Sequence, residues 1–411
     1  LPPLVGEYSR PGRIAEFDGL RAYALGGVVL FHLLGISGIV RPGEGGAVDQ
    51  VLWAIFGNTI DFFFIISGFL LFLPLIRRGG RVGSLRDFYL RRFARLQPEY
   101  WACLVVVVAM IVLIPVDFQP ATPTVGNFLI HVFDLQTAAR LFDPGFQLGF
   151  WIDGALWMVP VMAGLYLIFP LLARMLTWNV WAAIGTAALV TVCWTLAPGH
   201  LPGLFQDLSG HSVDDESVKI IATEQTPGFV LSFTLGMAAA RLYTWTRNFP
   251  DSPWINRAVI ATLVLAVPAW LLLAHGFTEA AIRSTTGCDG SSRGRGLVWN
   301  GIGSSVLRTS LVLAVVMGPL WLRRPFASRP AKVVADHSYG LYLIHLPVAF
   351  YAAQLLELPE SGTVGDLLLW SIVVLPVAGA YAWLSRRYIG QPSIKAVENW
   401  IGSRGSGIKQ S

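Results

Sequence analysis

An arginine and a histidine stand inside the first long apolar stretch of this 411-residue chain, FDGLRAYALGGVVLFHLLGISGIV. Arg21 opens the stretch and His32 lies well within it. Eleven residues make about three helical turns, so the two share a helix face roughly 16 Å apart along the axis. Ionisable groups are costly in a membrane helix and mark a site by default. A fixed cation at the membrane edge suits an anion, and an imidazole further in suits general-base chemistry. Asp61 follows in NTIDFFFIISGFLL. It falls about ten residues into the second apolar run, roughly 15 Å deep and within a turn of the depth of His32. A carboxylate there would fix the tautomer of the imidazole and raise its basicity. Asn58 is at nearly the same level. Arg308, in a later apolar run, has a similar depth and is a second candidate partner for Asp61.

A different chemistry is suggested by LRDFYLRRFARLQPEYW. The segment is amphipathic and clusters Arg91, Arg92 and Arg95 ahead of Pro98, which is expected to end it. Guanidinium groups so placed suit bidentate contacts to phosphates, although basic loops also arise from topology alone. In HSYGLYLIHLPV, His337 falls at the inner edge of a span and His345 roughly 12 Å in, with Tyr339 and Tyr342 along the path. Ser67 has no base near it in sequence to make it a nucleophile. With Gly68 it suits close backbone packing.

The elements that must carry these residues are membrane helices. Hydrophobic residues make up 54% of the chain and charged ones 13%, about half the charge fraction of a soluble domain. Apolar runs long enough to span a bilayer recur near 18–39, 50–75, 98–116, 154–175, 179–197, 227–245, 256–274, 298–321, 337–356 and 366–385. The expected fold is therefore all-α and polytopic, with about ten transmembrane helices between short polar tails at 1–16 and 391–411. An even number of spans puts both termini on one side. Of the 30 Lys and Arg residues, 22 fall in the tails and loops of that side, seven of them in 77–97. That bias makes the termini cytoplasmic, and the net charge of +5 reflects those loops rather than a nucleic-acid partner. Sizeable outer loops are expected at 117–153, 198–226 and 275–297, the last Gly/Ser-rich. The first span carries no small-residue cleavage site and reads as a retained helix. The three cysteines, Cys103, Cys193 and Cys288, have no metal-ligand spacing, and no metal is expected. A transporter or flippase using His32, Asp61 and Arg308 as a proton relay is the rival from another class; the absence of an internal repeat weighs against it.

Four stretches taken in order, FDGLRAYALGGVVLFH, IDFFFIISGFLL, FYLRRFARLQPEYW and SYGLYLIHLPV, resemble the integral-membrane acyltransferase family 3, whose members O-acylate bacterial surface glycans and some secondary metabolites. The resemblance implies a multi-pass protein of the bacterial inner membrane. It implies an acyl-CoA donor reaching the site from the cytoplasm and an extracytoplasmic glycan or glycolipid hydroxyl as acceptor. It places the essential base at His32 and donor binding at Arg21, Arg92 and Arg95; the depth of Asp61 makes it the candidate partner of that base, and the clustering of Arg91 adds it to the donor site. Asn58, Trp157, Arg308 and His345 are candidate substrate contacts. One stretch departs from the family pattern: LWMVPVMAGLYLIFP keeps Trp157, Pro160 and Tyr166 but has Met158 and Met162 where a serine and a glutamate are usual. The chain is expected to act as a membrane unit alone, without the fused extracytoplasmic hydrolase-like domain of some relatives.

Overall fold

The computed structural model describes residues 14–40, 51–52, 55–56, 59–80, 82–114, 116, 123–142, 154–200, 224–249, 253–285 and 290–407. These residues are helical, with no strand among them. The helices are α1 (Glu16–Ile36), α2 (Ile60–Arg77), α3 (Leu85–Leu113), α4 (Val125–Val132), α5 (Gln136–Phe142), α6 (Met158–Trp178), α7 (Val180–His200), α8 (Thr226–Thr246), α9 (Pro253–Thr285), α10 (Gly290–Met317), α11 (Leu320–Phe326), α12 (Arg329–Leu356), α13 (Val364–Ser385) and α14 (Gln391–Gly407). A five-residue π-helical turn, Arg386–Gly390, joins the last two. Among the described residues seven helices are long and apolar enough to cross a membrane, or eight if α10 and α11, bent by 104°, form one broken span. The chain is an all-α, multi-pass membrane protein.

Local chemistry sets several helix starts. Ser84, Thr124 and Ser328 cap α3, α4 and α12 by accepting from the backbone N–H three residues on, and Thr363 with Asp366 forms a capping box on α13. Pro98 does not end the arginine segment as expected. Helix α3 runs through it for 29 residues, because neighbouring helices stabilise a proline-interrupted ladder in a membrane bundle. Arg91, Arg92 and Arg95 therefore ride on the first turns of a spanning helix.

Helices α1 and α2 are antiparallel, with Phe17 against Phe69, Tyr23 against Phe62 and Gly27 against Thr59. Gly68 and Gly236 approach reciprocally: a Cβ on either would collide with a backbone carbonyl of the other helix, that of Phe233 or Ile65. This is the close α2–α8 crossing that small residues permit.

Three segments differ from expectation. In the stretch 117–153, expected outside, the described residues 123–142 fold back along α3. Gln97 donates to Asp134, Gln136 Nε2 to the Tyr100 hydroxyl at 2.8 Å, and Trp101 Nε1 to the Val132 carbonyl at 2.9 Å. These contacts lie roughly 18–24 Å before the end of α3. Asp134, at φ 57°, makes the turn between α4 and α5 in a left-handed conformation that Asp tolerates. The tail expected at 391–411 is helical to Gly407 and packs on α3, with Arg86 over the Trp400 ring at 4.7 Å. In the stretch expected as the 275–297 loop, α9 continues to Thr285 and α10 starts at Gly290, and no proline falls between 275 and 297 to stop either helix.

Candidate active site

His32, on α1, and His345, on α12, meet with Nδ1 of the first 2.9 Å from Nε2 of the second. His345 Nδ1 lies 2.6 Å from the Tyr342 carbonyl. A carbonyl only accepts, so His345 carries its proton on Nδ1 and presents a lone pair at Nε2. His32 Nδ1 must then donate. The proton of neutral His32 is held on Nδ1, and its Nε2 is a free lone pair with no partner among the described residues. His345 is 2% exposed, whereas His32 is half-buried. Of the two, His32 is the more exposed.

On the arginine-rich side a cavity of about 750 Å³ opens between α1, α2, α3, α6, α12 and the C-terminal turn. Arg21, Arg91, Arg92 and Arg95 all line it. Arg92 lies over the rings of Tyr166, at 5.8 Å, and Phe88, at 5.9 Å; Phe88 in turn stacks on Phe169 at 5.1 Å and ties α3 to α6. Arg92 Nε is buried and finds no hydrogen-bond partner among the described residues. Arg91 Nε donates to Glu398 of α14 at 3.1 Å. Met158 and Met162 line the same cavity, so the departure from the family pattern makes one of its walls apolar.

The cavity ends at Phe63 and Tyr342. Their ring centroids are 6.3 Å apart, and the Tyr342 ring is 5.8 Å from that of His345. One aromatic layer therefore separates the cavity from the histidine pair. Along α3, Cys103 Sγ donates to the Leu343 carbonyl, two residues before His345. From Arg92 to Cys103 is eleven residues, about 16 Å.

The expected contact between Asp61 and His32 is not made. Asp61 is ion-paired with Arg308 of α10. The α1–α2 register explains this. His32 lies five residues beyond Gly27, and Asp61 two residues beyond Thr59 in the opposite direction, so about 10 Å of axial distance separates them. The depth expected for Asp61 assumed a helix starting near residue 50, whereas α2 starts at Ile60. His345, expected to touch substrate, is instead the partner of His32. Arg308 is 3% exposed and serves Asp61. Trp157 stacks on Phe229 at 5.5 Å, and Phe229 packs at a tilt against Phe64 at 4.5 Å, outside the arginine cavity. Asn58 lies outside the described residues.

Sequence reasoning missed Arg78, Glu99 and Arg386, all of which line the cavity. The RR pair at 386–387 was visible but reads as one more positive-inside cluster. Among the described residues no three His, Cys, Asp or Glu side chains converge as metal ligands.

Comparison with known proteins bears on the same stretch of chain. The acyltransferase domain of family 3 matches residues 14–385. The chain is 23% identical over 406 residues to the peptidoglycan O-acetyltransferase OatA of Listeria monocytogenes, covering 94% of this chain and 56% of OatA. It is 22% identical to YrhL of Bacillus subtilis, provisionally named a peptidoglycan O-acetyltransferase, over 92% of this chain and 54% of YrhL. A provisionally named O-acetyltransferase of Staphylococcus aureus is 23% identical, over 96% of this chain and 60% of its own length. The chain thus spans little more than half the length of these relatives. No solved structure matches it. The matched region takes in α1 to α13, and with them the histidine pair and the arginines of α1 and α3; the chain belongs to acyltransferase family 3.

Proposed function

We propose that this protein is a membrane O-acyltransferase of the cell envelope, moving an acyl group from cytoplasmic acyl-CoA to a hydroxyl of an extracytoplasmic glycan, with His32 as general base. The observation that carries the reading is the pairing of an arginine-lined cavity with a tautomer-fixed, half-buried histidine one aromatic layer beyond its end. Arg21, Arg91, Arg92 and Arg95 hold the phosphates of the donor. The pantetheine arm runs inward past Met158 and Met162 and carries the thioester toward His32. His32 Nε2 takes the proton of the acceptor hydroxyl, and the hydroxyl oxygen forms a bond to the thioester carbonyl carbon. The carbon–sulfur bond then breaks, and the proton on Nε2 passes to the departing thiolate. The hydrogen bond from Nδ1 to His345 persists through both transfers and keeps the ring oriented.

The relatives named as peptidoglycan O-acetyltransferases support a cell-wall glycan as acceptor and acetyl as the first acyl group to test. A proton-coupled transporter is less well supported, since Asp61 and Arg308 are spent on one another about 10 Å from His32.

The test is His32→Ala in the purified protein, following CoA release from acetyl-CoA with a peptidoglycan fragment as acceptor. Turnover is expected to fall by about 10²–10⁴-fold while thermal unfolding and gel filtration stay as in the wild type. Near-wild-type turnover would make His32 a packing residue and remove the mechanism.

A further inference from the structure

Arg386 lies just past the residues that the family match covers, yet it lines the arginine cavity. It is the first residue of the π-helical turn Arg386–Gly390, a geometry that often accompanies functional positions. That turn is fastened to α3 through Glu99, which is 3% exposed. Ser385 donates to Glu99 Oε2 at 3.3 Å, and Gly390 lies so close that a Cβ there would collide with the Glu99 carboxylate. Among the charges acting on that carboxylate are those of Arg386 and Arg95. Arg386 Nε is nevertheless buried with no hydrogen-bond partner among the described residues. Buried donors are almost always paired, so an unpaired guanidinium nitrogen on a cavity wall calls for an acceptor from a ligand.

Its place in the cavity narrows which one. On α3, Arg92, Arg95 and Glu99 follow at i, i+3 and i+7 and share one face. The π-helical turn sets Arg386 beside the Glu99 side chain, and Glu99 lies about 10 Å further in than Arg92. Arg386 thus extends the row of cations inward where α3 itself offers an acid. It is nearer the histidine pair than the arginines of α3, which is where the inner phosphates of a nucleotide-linked thioester would fall.

We propose that Arg386, presented by the π-helical turn and steadied by Glu99, binds the diphosphate of the donor, the phosphate group nearer the thioester. The proposal rests on the acyl-CoA reading above. The test uses the full chain in nanodiscs of phosphatidylcholine, titrated by calorimetry with CoA and with 3′-dephospho-CoA. Arg386→Gln is expected to weaken both by the same factor, about tenfold or more, leaving their ratio as in the wild type. Arg386→Lys, which keeps the charge but loses the fork, should fall between them and serves if the glutamine variant does not fold. Unchanged affinity for both ligands would overturn the proposal. So would a loss confined to CoA, which would assign Arg386 to the 3′-phosphate. Competition by added phosphatidylglycerol would assign it to a lipid headgroup and overturn it as well. A wild-type protein that binds neither ligand would instead sink the acyl-CoA reading itself.

Discussion

The hydrogen bond from His32 Nδ1 to His345 Nε2 decides which nitrogen of His32 is left for chemistry. Because His345 spends its own proton on the Tyr342 carbonyl, the proton of His32 is pinned to Nδ1 and the lone pair to Nε2. Replacing His345 by Leu removes that control and lets the proton settle on the nitrogen that must be free. Turnover should then drop by about 10²–10⁴-fold with KM for acyl-CoA unchanged. His345→Gln, whose carbonyl oxygen can accept the same bond, should recover a large part of kcat. Equal loss in both variants would show that His345 does not act by holding the tautomer. Asp61 has a different task. Its side chain is 14% exposed and that of Arg308 4%, and breaking such a pair strands a charge in the bundle at a cost of about 3–5 kcal/mol. Asp61→Asn should therefore lower thermal stability, and adding Arg308→Leu should restore both stability and turnover. A double variant that is stable but inactive would return Asp61 to the mechanism. The sequence placed His32 correctly within its apolar run, because that position is local. It misplaced the partner, because register between helices is settled by contacts such as Gly27 with Thr59 and leaves no mark in either segment alone.

At the scale of elements, the segment α4–α5 is the one the sequence misread most. Length and polarity made it an outer loop; Gln97, Tyr100 and Trp101 hold it against α3. A polar side chain in an apolar helix signals that something polar must meet it, but not what. The arrangement has a pH signature. Burial raises the Asp134 carboxyl from 3.8 to about 6, partly offset by the bond from Gln97. A carboxyl whose folded pKa exceeds its unfolded one favours the folded state at low pH, and that stability is lost as pH rises through the folded pKa. Asp134→Asn keeps a side chain suited to the left-handed turn and an oxygen for Gln97, but cannot ionise. Its thermal midpoint relative to wild type should rise between about pH 4 and pH 6.5, by the equivalent of about 2–3 kcal/mol at most, and stay level above that. A difference that is flat with pH would mean that Asp134 is already solvated when charged. The C-terminal segment shows the opposite limit of legibility. Its charges were visible, yet nothing local announces that Glu398 reaches Arg91 or that a π-helical turn brings Arg386 into the same cavity.

At the scale of the molecule, the all-helical membrane architecture was legible because it follows from the length of apolar runs, and the family because four motifs fall in order along them. What the whole adds is polarity. The cavity arginines lie on the side to which the ten-span reading of the sequence assigns 22 of the 30 basic residues, and the histidine pair lies about 16 Å further in. On the acyl-CoA reading proposed above, a bundle arranged so would work in one direction, with the phosphates held at the basic face by charges that cannot follow the thioester inward. Acyl-CoA is too strongly charged to cross a bilayer unaided, so sealed vesicles can present it to one face at a time. Inverted vesicles, with the basic face outward, should release CoA when acetyl-CoA is added outside and a glycan acceptor is enclosed. Right-side-out vesicles with donor outside and acceptor enclosed should give no more than the background of permeabilised or misoriented particles. Orientation is scored in the same preparations by protease cleavage of a tag placed after Ser411. Equal turnover in the two would mean that the donor reaches His32 from the far side, and the arginine cavity would then serve topology and not the acyl donor.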